Sequence, residues 1–213
     1  MTLYKLYYFA NRGRGEAIRL IFNYAKVPFE DIRLSMSEFE KFKPRTPRGK
    51  LPVLDINGKM LSESVPIARY LGNEFGLIGA NNWENAQMDM MVDAVTELVF
   101  QAYLPIRDSP NKEAQKELTL AGASALPPSL QYLESHLSTS ESGYLSTKGI
   151  TWADFFIYVW YIMLKDVFKI DLRTMPNIEA HFDRINSLPS VQRWFHEHPN
   201  DKFTLAQHLG KVP

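Results

Sequence analysis

The stretch YYFANRGRGEAIR, residues 7–19, indicates how the first part of the chain folds. Its two tyrosines and the following phenylalanine end an apolar run with the character of a buried strand. A short glycine-containing segment follows, and from Glu16 the apolar residues recur at helical spacing. A strand, a tight loop and a helix in this order are typical of α/β folds, whose ligands bind where the strand ends and the helix begins.

Strand-like and helix-like segments go on alternating up to about residue 78. We predict strands at 5–9, 29–34, 53–56 and 59–61, and helices at 16–25, 37–42 and 64–75. The pair Asn57-Gly58 lies between the last two strands and predicts a type I′ hairpin turn, because both residues tolerate positive φ. The predicted order is βαβαββα.

From residue 83 onward the pattern is helical throughout, and residues 76–83 are predicted to link the two parts. The clearest local signal is Thr151 with Asp154 three residues later, which predicts a capping box at the start of a helix. The run that follows is apolar on nearly every side. It therefore predicts a helix buried at the centre of the second domain.

The composition excludes several classes of function. Lys and Arg number 24 against 24 Asp and Glu, and this zero net charge argues against a dedicated nucleic-acid binder. The longest apolar run, Phe155–Leu164, is ten residues. A membrane span needs about 20. The chain contains no cysteine, which excludes disulfides, cysteine nucleophiles and thiolate metal sites. With no signal-peptide pattern visible, we expect a soluble cytoplasmic protein.

Tyr8 is the first candidate for chemistry. Tyr7 and Tyr8 point to opposite faces of a strand, so at most one of them faces a given cleft. Both can equally be ordinary core or sheet-surface aromatic residues. Arg12 and Arg14 follow in the loop, where they either hold an anion, polarise the phenol or are solvated surface charges.

Two further segments carry signals of a binding site. In GKLPVL, residues 49–54, a proline stands directly before a strand; a cis Leu51–Pro52 bond is one use of it, although trans bonds are far commoner. In SESVPIARYL, residues 62–71, Glu63 and Ser64 precede a helix whose N-terminus favours an anion. Ser64 is also a good N-cap residue, so simple capping is the competing interpretation.

Four segments taken together and in order resemble one family, the cytosolic glutathione transferases, and most of all its sigma class. They are YYFANRGRGEAIR, GKLPVL, ESVPIARYL and GITWADFF. The resemblance covers essentially the whole chain. It implies a thioredoxin-like α/β domain over residues 1–78 and an all-helical domain over 83–213 that contributes a hydrophobic substrate site. It also implies conjugation of glutathione to hydrophobic electrophiles, with isomerase or peroxidase side activity.

By this resemblance Tyr8 activates the sulfur of glutathione and Arg14 supports the tyrosine hydroxyl. A free thiol has a pKa of about 8.5, so little of it is the nucleophilic thiolate at neutral pH. A phenol O–H that donates a hydrogen bond to the sulfur favours the charged form and lowers the thiol pKa. Because a phenol has a reference pKa of about 10, we expect Tyr8 to act as a neutral donor and not as a base.

The resemblance also implies the residues that bind glutathione: Phe39, Lys43, Lys50, Leu51, Pro52, Glu63, Ser64 and Glu97. Lys43 and Lys50 lie near its glycyl carboxylate. Leu51 offers backbone hydrogen bonds to the cysteinyl unit, with Pro52 cis. Glu63 and Ser64 hold the γ-glutamyl end.

Three positions depart from the sigma pattern. Phe39 replaces a tryptophan that donates to the glycyl carboxylate, and Glu63 replaces a glutamine. Sigma enzymes are two-fold dimers in which an aspartate reaches the partner's site, and Glu97 occupies that position. Asp89 and Asp93 form an acidic row with it, interpreted either as a solvated face or as part of the dimer axis. We predict a homodimer that needs no metal and no cofactor, with glutathione as cosubstrate.

The second substrate is expected between the two domains, against a set of aromatic residues of which at least two are ordinary core. The set is Phe9, Phe100, Tyr103, Phe156 and Trp160. A non-catalytic protein of the same fold, such as a lens crystallin, is the alternative to an enzyme. Phe39 favours that alternative, whereas the intact Tyr8 and Arg14 favour the enzyme.

Overall fold

The computed structural model describes residues 2–107, 109, 111, 113, 117, 130–169 and 171–203, with only the backbone described for 98–107, 167 and 168. Its strands are β1 (Tyr4–Phe9), β2 (Glu30–Leu34), β3 (Val53–Ile56) and β4 (Lys59–Ser62). Its helices are α1 (Glu16–Ala25), α2 (Met36–Phe42), α3 (Ser64–Phe75), α4 (Asn82–Arg107), α5 (Trp152–Phe168), α6 (Pro176–Asn186) and α7 (Pro189–Glu197). Residues 130–138 are also helical.

The four strands form one mixed sheet in the order β2-β1-β3-β4. Strand β1 is parallel to β2 and antiparallel to β3, and β3 and β4 form an antiparallel hairpin. Asn57 and Gly58 at its turn have φ of 52° and 87°, which confirms the turn with two positive φ angles. The predicted βαβαββα order is confirmed, and this is the thioredoxin-like arrangement that the resemblance implied.

The prediction for the start of α3 is wrong in one respect. Ser64 is the first residue of the helix and not its N-cap, which is Glu63. The side chain of Glu63 makes no capping hydrogen bond. Ser64 is nevertheless buried, at 8% exposure, at the edge of the sheet domain.

Helix α5 is the buried centre of the helical part, as predicted. Every residue from 152 to 164 is buried. The carboxylate of Asp154 accepts hydrogen bonds from both the backbone N–H and the hydroxyl of Thr151, at 2.7 and 2.6 Å, so the capping box is confirmed. The same carboxylate also accepts from the Leu145 N–H at 2.9 Å and lies 2.7 Å from Nε2 of the fully buried His181.

The sheet part and the helical part pack closely through α3 and α5. A Cβ atom added to Gly72 would lie 2.5 Å from Cδ1 of Trp152, so only glycine permits this approach. The Trp152 N–H donates to the carbonyl of Leu77 at 3.0 Å. Among the described residues, no helix combines the length and apolarity needed to cross a membrane. The domain bounds 1–78 and 83–213 remain predictions.

Candidate active site

Tyr8 lies near the end of β1, next to the loop that leads into α1. Its side chain is 8% exposed. Its hydroxyl oxygen accepts a hydrogen bond from the backbone N–H of Arg14 at 3.1 Å. A phenol can both accept and donate hydrogen bonds. The Arg14 N–H takes one acceptor position of the Tyr8 oxygen and holds the hydroxyl next to the loop.

Two glycines allow the loop to lie against the Tyr8 ring. Gly13 has a φ of 94°, which side-chain-bearing residues rarely adopt. A Cβ atom on Gly15 would lie 2.5 Å from Cδ1 of Tyr8 and 2.6 Å from Cγ. The Arg-Gly-Arg-Gly sequence thus brings a backbone donor to the phenol, and any side chain at Gly15 would push the ring away.

The alternation of the strand separates the two tyrosines, as predicted. Tyr7 faces the other side of the sheet, where its ring stacks on Phe42 with centroids 4.4 Å apart. Phe9 meets Phe39 edge-on, with ring centroids 5.5 Å apart. Phe39 is buried at 9% exposure, so it takes part in packing beside the site. It has no N–H to offer a carboxylate.

Arg19 fixes the loop that follows β1. The side chain is fully buried, and its guanidinium donates to the carbonyl of Asn11 at 2.7 Å and to that of Phe9 at 2.9 Å. It also lies over the Tyr8 ring, with Cζ 5.6 Å from the centroid. A planar guanidinium has five N–H donors in a rigid fork, so one side chain can hold several acceptors in place. Arg19 therefore positions the backbone on both sides of the turn.

The charge of Arg19 belongs to a chain of ion pairs that crosses the molecule. Its guanidinium contacts Glu16 at 3.2 Å and Asp31 at 3.1 Å. The other oxygen of Asp31 accepts from Arg33 at 2.7 Å, and Arg33 in turn binds both oxygens of Asp201 at 2.8 and 2.9 Å. Residues near the C-terminal end of the described chain are thereby tied to the strand beside Tyr8.

Trp194 on α7 completes this network by donating its indole N–H to Glu16 at 2.8 Å. Burial raises the pKa of Glu16, while Arg19 and Trp194 act in the opposite direction by stabilising the carboxylate. Arg12, the other loop arginine, is directed to the same helix. Its guanidinium lies 4.3 Å from the centroid of the Phe195 ring, which makes it a packing contact of the loop with α7.

We expect Trp194→Phe to lower the free energy of unfolding by about 1–3 kcal/mol at neutral pH, because a buried carboxylate loses a donor. The pKa of Glu16 is raised in the folded state, so its contribution to stability is complete below the pKa that the carboxyl has in the unfolded chain. That contribution is lost as the pH rises through the folded-state pKa. Without the indole the folded pKa rises further, so the deficit should grow with pH. Denaturant unfolding at pH 5 and pH 8 measures this.

The control is Tyr132→Phe, because that tyrosine is 50% exposed on the helical segment 130–138. It should change the stability little at either pH. A Trp194→Phe deficit that is the same at pH 5 and pH 8 would mean that lost packing, and not the hydrogen bond to Glu16, explains the effect.

The predicted cysteinyl and γ-glutamyl contacts lie at neighbouring ends of β3 and β4. The Leu51–Pro52 peptide bond is cis, as the resemblance implied. Val53 pairs with Ser62, so Pro52 comes next to Glu63 across the hairpin. Glu63 has φ of 77° and ψ of 126°, and its carbonyl accepts from the Ile67 N–H at 3.0 Å. A non-glycine residue held at positive φ costs about 1–3 kcal/mol and often marks a functional site.

The predicted cationic and acidic residues lie on the surface. Lys43 and Lys50 are exposed, and Lys43 lies 3.7 Å from Glu40 and 5.9 Å from the Phe39 ring centroid. Glu97 is exposed on α4. Within the acidic row, Asp89 pairs with Arg69 of α3 at 2.8 Å. The roles assigned to these residues stay predictions.

The five aromatic residues predicted to contact the second substrate fall into three groups. Phe156 and Trp160 are buried in the core of the helical part, at 2% and 5% exposure, and their rings meet edge-on. Phe9 is partly exposed beside Tyr8. The side chains of Phe100 and Tyr103 lie outside the described residues.

Sequence reasoning missed Arg19, which positions the loop beside Tyr8, and it missed the ion pair of Arg48 with Glu63. Arg19 stands between Ile18 and Leu20 on an apolar helix. This position could have indicated a structural role, since an arginine that is buried needs polar partners. No pattern in the neighbouring sequence indicated that Arg48 forms an ion pair with Glu63, which the structure shows at 3.2 Å.

Comparisons with known proteins agree with this geometry. Residues 4–73 match the family description "Glutathione S-transferase, N-terminal domain" and residues 97–198 match "Glutathione S-transferase, C-terminal domain". Glutathione S-transferase 1 of Ascaris suum is 33% identical over 213 residues, which cover 95% of this chain and 100% of the relative. Hematopoietic prostaglandin D synthase of Gallus gallus is 34% identical over 200 residues, which cover 93% of this chain and 98% of the relative.

Among solved structures, prostaglandin synthase D of Nilaparvata lugens matches with a TM-score of 0.82 at 30% identity, covering 92% of this chain and 99% of that one. A sheet domain followed by a helical part is the architecture that this chain shares with these proteins. The chain belongs to the glutathione S-transferase family, and it is an enzyme of that family. The non-catalytic alternative is not supported by the named relatives.

Proposed function

We propose that this enzyme conjugates glutathione to hydrophobic electrophiles and that Tyr8 activates the thiol. The observation that carries the proposal is the position of the buried Tyr8 hydroxyl, at the end of β1 beside the glycine-containing loop, where it accepts the Arg14 N–H at 3.1 Å. The chain itself has no cysteine, so the thiol comes with the cosubstrate.

In this mechanism the Tyr8 O–H donates to the glutathione sulfur and stabilises the thiolate. The Arg14 N–H strengthens the donor by polarising the phenol, because hydrogen bonds in a chain reinforce one another. The thiol proton passes to solvent, and the thiolate attacks the electrophile to form the carbon–sulfur bond. A leaving group departs with the electron pair of its bond; where there is none, the anion formed by addition takes a proton from solvent. The glutathione is held by the set Phe39, Lys43, Lys50, Leu51, Pro52, Glu63 and Ser64, with no metal and no cofactor required.

The test is the ultraviolet absorbance of glutathione bound to the wild-type enzyme, followed against pH. A thiolate band that appears well below pH 8 would support activation, since a free thiol has a pKa of about 8.5. Binding without any lowering of the thiol pKa would remove Tyr8 from the mechanism. Conjugation of a chromogenic model electrophile at pH 6.5 provides an independent readout.

We further infer that the enzyme is a sigma-class homodimer in which Glu97 reaches the partner's glutathione site. Support comes from α4, where Trp83 and Met90 are 73% and 48% exposed and, seven residues apart, lie on one helix face. Exposed apolar residues of this kind often mark interfaces. Sedimentation should give twice the 24.6 kDa of one chain, about 49 kDa. Glu97→Gln should then weaken glutathione binding, whereas a monomer would contradict both expectations.

A second candidate activity is glutathione-dependent isomerisation. The same thiolate would also support a peroxidase activity. The two similar proteins named as prostaglandin D synthases favour the isomerase. Formation of prostaglandin D2 from its endoperoxide precursor, measured with and without glutathione, tests it. A cytoplasmic location is part of the same proposal, because the cytosol is the compartment where glutathione keeps thiols reduced.

A further inference from the structure

The loop between α2 and β3 places an arginine against the γ-glutamyl end of the proposed site. Nη1 of Arg48 lies 3.2 Å from Oε1 of Glu63. The side chain of Arg48 is 60% exposed and that of Glu63 is 35% exposed. An ion pair as exposed as this contributes little to folding stability, so stability alone does not explain the arrangement.

The backbone of Glu63 is held independently of Arg48. It has a φ of 77° and its carbonyl accepts from the Ile67 N–H of α3, so the position from which the side chain starts is set. The buried Ser64 follows directly. Arg48 is a long and largely exposed side chain that can change its conformation at low cost. An adjustable guanidinium therefore faces a carboxylate whose backbone is fixed.

The γ-glutamyl end of glutathione carries both an α-ammonium and an α-carboxylate. A carboxylate at position 63 attracts the ammonium but repels the carboxylate beside it. A guanidinium next to Glu63 offsets this repulsion, and its fork of donors suits a carboxylate. The two charges at this spacing are complementary to the two charges of an α-amino acid.

We propose that Arg48 is a specificity-determining residue that donates to the α-carboxylate of the γ-glutamyl unit while Glu63 accepts from its α-ammonium. This inference rests on the proposed binding of glutathione. Before binding, Arg48 pairs with Glu63. On binding, the ammonium takes a place at the Glu63 carboxylate and the guanidinium turns to the α-carboxylate. The site thereby selects an amino-acid zwitterion over peptides that carry one of the two charges.

The test compares Arg48→Met with Arg45→Met by isothermal titration calorimetry. Arg45 is a suitable control because it is an exposed arginine of the same loop and stacks on Phe42, with Cζ 5.5 Å from the ring centroid. The ligands are glutathione and γ-aminobutyryl-cysteinylglycine, which lacks only the α-carboxylate. Arg48→Met should weaken glutathione about 5- to 10-fold and leave the decarboxylated analogue within about 2-fold. Arg45→Met should change both by less than about 2-fold.

The Glu63→Gln background separates a direct contact from simple neutralisation of Glu63. If Arg48 binds the α-carboxylate, its replacement still weakens glutathione when Glu63 is absent. Loss of the Arg48→Met effect in that background would overturn the proposal, as would equal weakening of both ligands or equal effects of the two arginine variants. A wild-type enzyme that binds no glutathione would refute the proposed function as well, whereas normal binding with an unaffected Arg48→Met refutes only this inference.

Discussion

Tyr8→Phe is expected to lower kcat/KM for conjugation roughly 10- to 100-fold at pH 6.5, because a hydrogen bond to a charged sulfur contributes about 1.5–3 kcal/mol. The ring still fills its space against Gly13 and Gly15, so the fold should be unchanged. The pKa of the bound thiol should rise towards that of free glutathione. The deficit should therefore shrink as pH approaches 9, where the thiolate forms without help.

Tyr7→Phe is the matched control for this prediction. The two tyrosines are adjacent in β1 but lie on opposite faces of the sheet, and Tyr7 stacks on Phe42 instead of facing the loop. Its replacement should leave both kcat/KM and the thiol pKa nearly unchanged. If Tyr8→Phe keeps wild-type activity at pH 6.5, another donor stabilises the thiolate and the mechanism proposed above is wrong.

Asp154→Ala is expected to cost about 3–5 kcal/mol of unfolding free energy, the largest loss of stability among the changes considered. The side chain is fully buried and accepts from the Thr151 N–H and hydroxyl and from the Leu145 N–H, while His181 is 2.7 Å away. Alanine leaves these partners in the core without an acceptor. For a chain of this size the loss corresponds to a fall in Tm of about 6–20 °C, measurable by calorimetry.

Asp166→Asn is the control, because this residue is exposed near the other end of the same helix. It should change Tm by no more than about 2 °C, as expected for an exposed position. Asp154→Asn keeps the shape of the side chain and one good acceptor, so it should fall between wild type and alanine. If the Tm of Asp154→Ala stays within about 2–3 °C of wild type, water or a rearrangement of the core replaces the lost hydrogen bonds.

The fold was largely predictable because its signals are local. The alternation in residues 5–9, the helical period from Glu16 and the turn at Asn57-Gly58 each depend on residues that are near neighbours in the chain. The capping box of Thr151 and Asp154 spans only four residues and was found where predicted. The start of α3 was misjudged because Ser64 suits both an N-cap and a first-turn position, and local preference does not separate the two.

The site was predictable only in part. The period of a strand predicts that Tyr7 and Tyr8 lie on opposite faces, whereas the choice of Tyr8 came from the resemblance to the family. That the backbone N–H of Arg14 donates to Tyr8 depends on the exact path of the loop past Gly13 and Gly15.

By itself, the sequence determined the elements and their order. The tertiary structure decided which distant polar groups meet: Arg33 with Asp201, 168 residues apart, Trp194 with Glu16, and Arg48 with Glu63. The physical reason is that secondary structure depends on dihedral preferences and on spacing over a few residues. An ion pair depends on two side chains arriving within 4 Å, a distance that no local pattern encodes until the chain is folded.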